Sequence, residues 1–119
     1  MNKLLVSLSL GTALLAGCVQ MPPHPTGFYW GNYSRSLYEY KQAPGASTLQ
    51  AHRNTLLDII ARVDASKGQH KVPPGIYAEL GKLELDRGDK ASAVKWFQQE
   101  AAHFPESAAL MKTLIEKAG

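Results

Sequence analysis

The groups in this chain that could do chemistry are few and far apart. One cysteine, Cys18, excludes an intramolecular disulfide framework and every multi-cysteine metal site. The four histidines, His24, His52, His70 and His103, are scattered along the sequence, and none sits in a cluster with metal-ligand spacing. Catalysis needs convergent groups, either a nucleophile with its base or paired carboxylates. The acids Glu79, Glu84, Asp86 and Glu100 are expected on helix surfaces, solvated or paired four residues along the helix. The expectation is therefore no catalytic residue, no metal, no cofactor and no small-molecule substrate. A buried pocket holding two strongly perturbed acids would revive an enzyme.

What remains is to ask which elements the chain builds. Its 119 residues allow one compact domain and no second core. The net charge is +3, with 13 basic and 10 acidic side chains interspersed and no basic block, which gives nucleic-acid binding little electrostatic footing. Residues 28–40 are the richest aromatic stretch, with Phe28, Tyr29, Trp30, Tyr33, Tyr38 and Tyr40 close together. Its rings can pack on the next helix as core, or form an exposed strip for a partner protein. Tyr29, Trp30, Tyr33 and Tyr38 are the candidate partner-binding residues.

The amino terminus is read as an export signal. Lys3 precedes an apolar run that is too short for a stable span, since crossing a bilayer takes about 20 apolar residues. Leu15-Ala16-Gly17-Cys18 closely resembles the lipobox of bacterial lipoproteins. The resemblance implies that residues 1–17 are cleaved and that Cys18 carries diacylglycerol and an N-acyl chain such as palmitate. Two or three chains anchor a protein firmly, at about 0.8 kcal/mol per buried methylene. Val19, in place of an inner-membrane retention aspartate, favours the outer membrane, facing the periplasm. Residues 18–27 hold three prolines and form a semi-rigid tether, expected to hold the domain roughly 25 to 30 Å off the bilayer. His24 lies within it, solvated.

From residue 28 to 119 the pattern is helical. Asn32 or Ser34 can cap a helix reaching about Gln42, which Ala43-Pro44-Gly45 stops. Leu49, His52, Leu56, Ile59, Ile60 and Val63 make one apolar stripe of a helix from about 48 to 66. His52 on that stripe is read as a satisfied edge residue. After Val72-Pro73-Pro74-Gly75, helices are expected at about 74–87 and 89–102, with Gly88 ending the first and Asp89 capping the second. Pro105 turns the chain into a last amphipathic helix over about 106–118.

Tyr77, Leu80, Gly81, Ala93, Phe97 and Pro105 fall at the spacings of a tetratricopeptide repeat, and the best unit is 74–107. Gly81 and Ala93 are small where the two helices approach. Glu84 stands where that pattern wants an aromatic, and Glu100 where it usually has alanine, which puts tight stacking of further repeats on that face in doubt. The fold expected is all-α, a short right-handed tetratricopeptide-like array of about five helices.

The mature chain also resembles a family of small bacterial lipoproteins of uncharacterised function. The resemblance rests on Leu15-Ala16-Gly17-Cys18, Tyr29-Trp30-Gly31-Asn32-Tyr33, Leu37-Tyr38, Pro73-Pro74-Gly75, Trp96-Phe97-Gln98-Gln99-Glu100 and Phe104-Pro105-Glu106-Ser107. Such proteins are typically encoded beside a lipoprotein like the curli secretion channel. The resemblance implies a place in an outer-membrane assembly, with that channel-like lipoprotein as a possible partner, and supplies no catalytic residue. The function expected is a lipid-anchored adaptor for another envelope protein. The alternative is an accessory subunit that stabilises a secretion pore without a separate ligand, and a cell-envelope enzyme ranks third.

Overall fold

The computed structural model describes residues 27–119; the leader, Cys18 and His24 lie outside the described residues. The five helices are α1 (Tyr33–Gln42), α2 (Ala46–Ala65), α3 (Ile76–Asp86), α4 (Lys90–His103) and α5 (Ala108–Ala118). The fold is all-α. No described helix is long and apolar enough to cross a membrane.

The chain pairs its helices in order: α1 on α2, α3 on α4, and α4 on α5, whereas α2 and α3 approach over a shorter stretch. Two apolar clusters result. Leu56 and Ile59 of α2 pack on Val72, Ile76, Tyr77 and Leu80, while Ala93 and Phe97 of α4 pack on Met111 of α5. The stripe on α2 is core as expected, with His52, Leu56 and Ile59 buried and Leu49, Ile60 and Val63 half-buried.

Gly81 sets the spacing of α3 and α4. A Cβ built there would lie 2.4 Å from Cε1 of Phe97, a ring with no solvent exposure and so no room to retreat. At the turn between these helices Gly88 takes φ +83°, and the Asp89 carboxylate accepts a hydrogen bond from the Ser92 amide at 3.0 Å. That bond holds the Asp89 carboxyl below its ordinary pKa.

Three boundaries differ from the sequence expectation. The second helix begins at Ala46, so Thr48 lies in its first turn and donates its hydroxyl to the carbonyls of Ala43 and Gly45. The third begins only at Ile76, because Gly75 stands before it at φ +95°. The last begins at Ala108, after the 3-10 turn Pro105–Ser107, where the Ser107 hydroxyl donates to the Phe104 carbonyl at 2.7 Å.

The entry to the domain is sewn down. Lys71 donates its amide to the Gly27 carbonyl at 2.7 Å, and Tyr29 donates to the Lys71 carbonyl at 3.0 Å. This makes one parallel bridge, Phe28 to Lys71, between the entering chain and the loop joining α2 to α3.

Gly81→Ala is expected to lower unfolding free energy by about 1–3 kcal/mol through overpacking. Gly88→Ala, where the added methyl meets open space, is expected to lose only about 1 kcal/mol from the left-handed backbone. Urea unfolding of the two variants checks the ranking; the reverse order would contradict the close approach of α3 and α4.

Candidate functional site

Three helices meet where α1 and α2 turn their inner faces toward α3. On α1, Tyr33, Ser36, Leu37 and Tyr40 recur at three- and four-residue steps, which puts them on one face. Ser36 is 7% exposed and His52 2% exposed. Ser36 Oγ lies 2.7 Å from His52 Nδ1, and His52 Nε2 lies 2.5 Å from Glu79 Oε1. The second oxygen of Glu79 accepts the Tyr33 hydroxyl at 2.8 Å. An ionised carboxylate only accepts, so Nε2 of His52 carries the shared proton and Nδ1 meets the serine hydroxyl.

Serine, histidine and glutamate are the ingredients of a hydrolase triad. Here they sit at the junction of α1, α2 and α3. Ser36 Oγ lies 3.1 Å from the Tyr33 carbonyl of its own helix as well as against His52, so its one proton is shared between two acceptors, and the residue is buried. The cluster joins one residue pair of α1, one histidine of α2 and one glutamate of α3, and so fixes how the first hairpin sits on the second. Tyr33 feels it directly: burial, then the hydrogen bond to Glu79 and that carboxylate's charge, push its phenol up to about 12.

Two further glutamates are buried rather than solvated, which corrects the surface role expected of them. Glu84 is 3% exposed and accepts the Arg53 Nε–H at 2.6 Å, tying α3 to α2, with Arg87 Nη1 3.9 Å away. Glu100, also 3% exposed, accepts the amides of Gly75 at 2.8 Å and Ala78 at 3.3 Å. It thereby caps the amino terminus of α3, whose own N-cap glycine has no side chain to do so. Asp86 alone of the four is exposed and pairs along its helix, with Lys82 at 3.5 Å. Among the described residues there is no cluster of three or more metal-ligating side chains.

Beside this joint the hairpins splay. Two adjoining cavities of about 240 and 230 Å³ open between the first half of α2 and the second half of α3, and share Leu49, Leu83 and Asp86. Leu37 and Tyr40 of α1 close one end. Arg53, Lys82 and Arg87 stand around the apolar floor. The result is a groove with room for bulky apolar side chains and a charged rim.

The four aromatic candidates separate. Tyr33 packs against the core and spends its hydroxyl on Glu79. Tyr29 is half-buried against the same core, its ring 5.7 Å from that of His70. Trp30 is 46% and Tyr38 64% exposed. Cys18 lies outside the described residues. The groove and the buried acids were missed, although a polar His52 on an apolar stripe is itself a signal that a partner must come from elsewhere.

The fold and joint define a small all-helical domain of two hairpins and a closing helix. The chain belongs to the family described as a domain of unknown function, DUF4810, which matches residues 28–114. No curated protein and no solved structure matches it.

Glu79→Gln keeps the shape but removes the charge, and is expected to lose about 1–2 kcal/mol of stability in thermal or urea unfolding. An unchanged midpoint would contradict the joint. The folded Tyr33 phenol holds its proton more tightly than the usual value of 10. Its contribution to stability is therefore complete below pH 10 and is lost as the pH rises toward about 12. Absorbance titration of the tyrosines should show this late phenol in the native chain, and an earlier one in Glu79→Gln.

Proposed function

We propose that this protein is a lipid-anchored, periplasm-facing adaptor that docks a segment of another envelope protein in the groove between its hairpins. The observation that carries the reading is the groove itself. It has an apolar floor of Leu37, Leu49 and Leu83 under a charged rim, held open by side-chain bonds at its edge. A partner segment that fits it presents bulky apolar side chains inward and charges of both signs outward.

Two features of the sequence support the rest. Leu15-Ala16-Gly17-Cys18 has the composition and position of a lipoprotein-processing site, which gives the anchor and the address. Tyr77, Leu80, Gly81, Ala93, Phe97 and Pro105 keep tetratricopeptide spacing, and repeats of that kind present concave surfaces to other proteins. The neighbouring channel-like lipoprotein suggested by family resemblance is the first partner to try.

Metabolic labelling with a palmitate analogue should mark the wild-type protein and not Cys18→Ser; equal labelling of both would remove the anchor. A photo-crosslinking residue placed at Leu49 or Leu83 should capture one envelope protein reproducibly in intact cells. The same probe at Thr113, on the exposed side of α5, should not. Absence of a groove-specific adduct would overturn the docking.

A further inference from the structure

A second cavity, of about 350 Å³, lies at the other end of α2 from the groove and shares no wall residue with it. Its size falls in the lower part of the range usual for small-molecule sites. Three aromatic rings stand in its wall: Phe28 at the entry of the domain, Tyr77 on α3 and Phe104 after α4. The bridge from Phe28 to Lys71 fixes the first of these to the loop joining α2 to α3. Phe28 and Phe104 have ring centroids 6.3 Å apart, with their planes inclined at 50°. His103 lies 4.9 Å from the Tyr77 ring, and its Nδ1 bonds to the Gln99 carbonyl at 2.9 Å.

Asp64 and Lys71, of opposite sign, line this same cavity. They do not pair with each other, and neither takes part in any ion pair among the described residues. The charge of Asp64 reaches inward: burial first, and then that carboxylate, raise the pKa of the Tyr77 phenol. A carboxylate beside ring faces is the chemistry that receives an organic cation, because the face of a ring is negative and attracts an ammonium within about 6 Å of its centre. Given the Phe28–Phe104 spacing, a cation up to about 5 Å to one side of the midpoint lies within that distance of both rings. Lys71 supplies the opposite half, a compact ammonium on a flexible stem that suits an anion.

We propose that this cavity binds a zwitterion in which an alkylammonium is joined to a phosphate, with the ammonium between Phe28 and Phe104 toward Asp64 and the phosphate against Lys71. A simple anion meets the repulsion of Asp64, and a simple cation meets that of Lys71. A zwitterion meets neither, and an apolar ligand leaves both charges unused. This chemistry belongs both to a free phosphocholine-type solute and to the headgroup of a phospholipid. The site does not rest on the adaptor reading, since the groove lies elsewhere on α2.

The test uses the full chain in micelles of a maltoside detergent, whose headgroup carries no charge, labelled with 4-fluorophenylalanine. Its three phenylalanines, Phe28, Phe97 and Phe104, then give three fluorine resonances. Phosphocholine titrated at pH 8, where an ordinary imidazole is uncharged, should move the Phe28 and Phe104 resonances to saturation and leave buried Phe97 in place. Asp64→Asn is expected to weaken this binding about tenfold, as for one lost contact to a charged group. Lys71→Gln should weaken phosphocholine but not tetramethylammonium, which has only the cationic half. An unmoved Phe97 resonance in both variants shows that the fold is intact. No saturable shift, an equal shift with sodium phosphate at the same ionic strength, or full affinity in Asp64→Asn overturns the proposal. Lipid nanodiscs separate the two sources. If the headgroup is the ligand, Phe28 and Phe104 sit at the bound position in phosphatidylcholine discs and at the free position in phosphatidylglycerol discs. The free position in both, with phosphocholine still binding, assigns the site to the soluble zwitterion.

Discussion

Glu79 is bonded through one oxygen to the Tyr33 hydroxyl of α1 and through the other to His52 of α2. Apolar contact between α2 and α3 centres on the half around Leu56, Ile59, Ile76, Tyr77 and Leu80, with Leu83 packed at its margin. In the other half the two helices are held by the Arg53–Glu84 ion pair, and the groove opens beside it. Buried ion pairs are poor evidence for net stability, because desolvation offsets much of the attraction. Removing one partner, however, strands a buried charge. The glutamates therefore act on placement: they fix where the first hairpin sits and leave its groove unfilled by hydrophobic packing.

The second hairpin supplies the platform. Gly81 lets the Phe97 ring lie directly on α3, and Glu100 reaches from α4 to satisfy the first amides of α3. The position of α3 is thus set from α4 as well as by its contacts with α2. Glu84 and Glu100, which depart from the repeat pattern, are the same residues that make these cross-helix bonds. The departures are uses of the positions, one tying α3 to α2 and the other capping α3.

Much of this was legible in the residues. Helical periodicity and punctuation by Pro44, Gly88, Asp89 and Pro105 located five helices, because those signals are local. The small pair Gly81 and Ala93 announced a close contact between neighbours in sequence. The joint was not legible. His52 and Glu79 stand 27 residues apart, Arg53 and Glu84 31 apart, and no local rule pairs them. The aromatic segment was ambiguous for the same reason: Tyr33 and Tyr38 differ by half a helical turn, and only the placement of α3 decides which of them turns inward. The bridge from Phe28 to Lys71 joins two irregular segments, one aromatic and one polar, that carry no periodicity at all.

The central claim is that the α1–α2 hairpin, packed on α3 through Leu56 and Ile59, is placed on a stiffer α3–α5 platform by the Glu79 joint. Native-state hydrogen exchange, read amide by amide, addresses it most directly. The account predicts that α1 and the first half of α2 open together at lower free energy than α3 and α4, as one unit. Equal protection across all five helices, or earlier opening of α4, would contradict it.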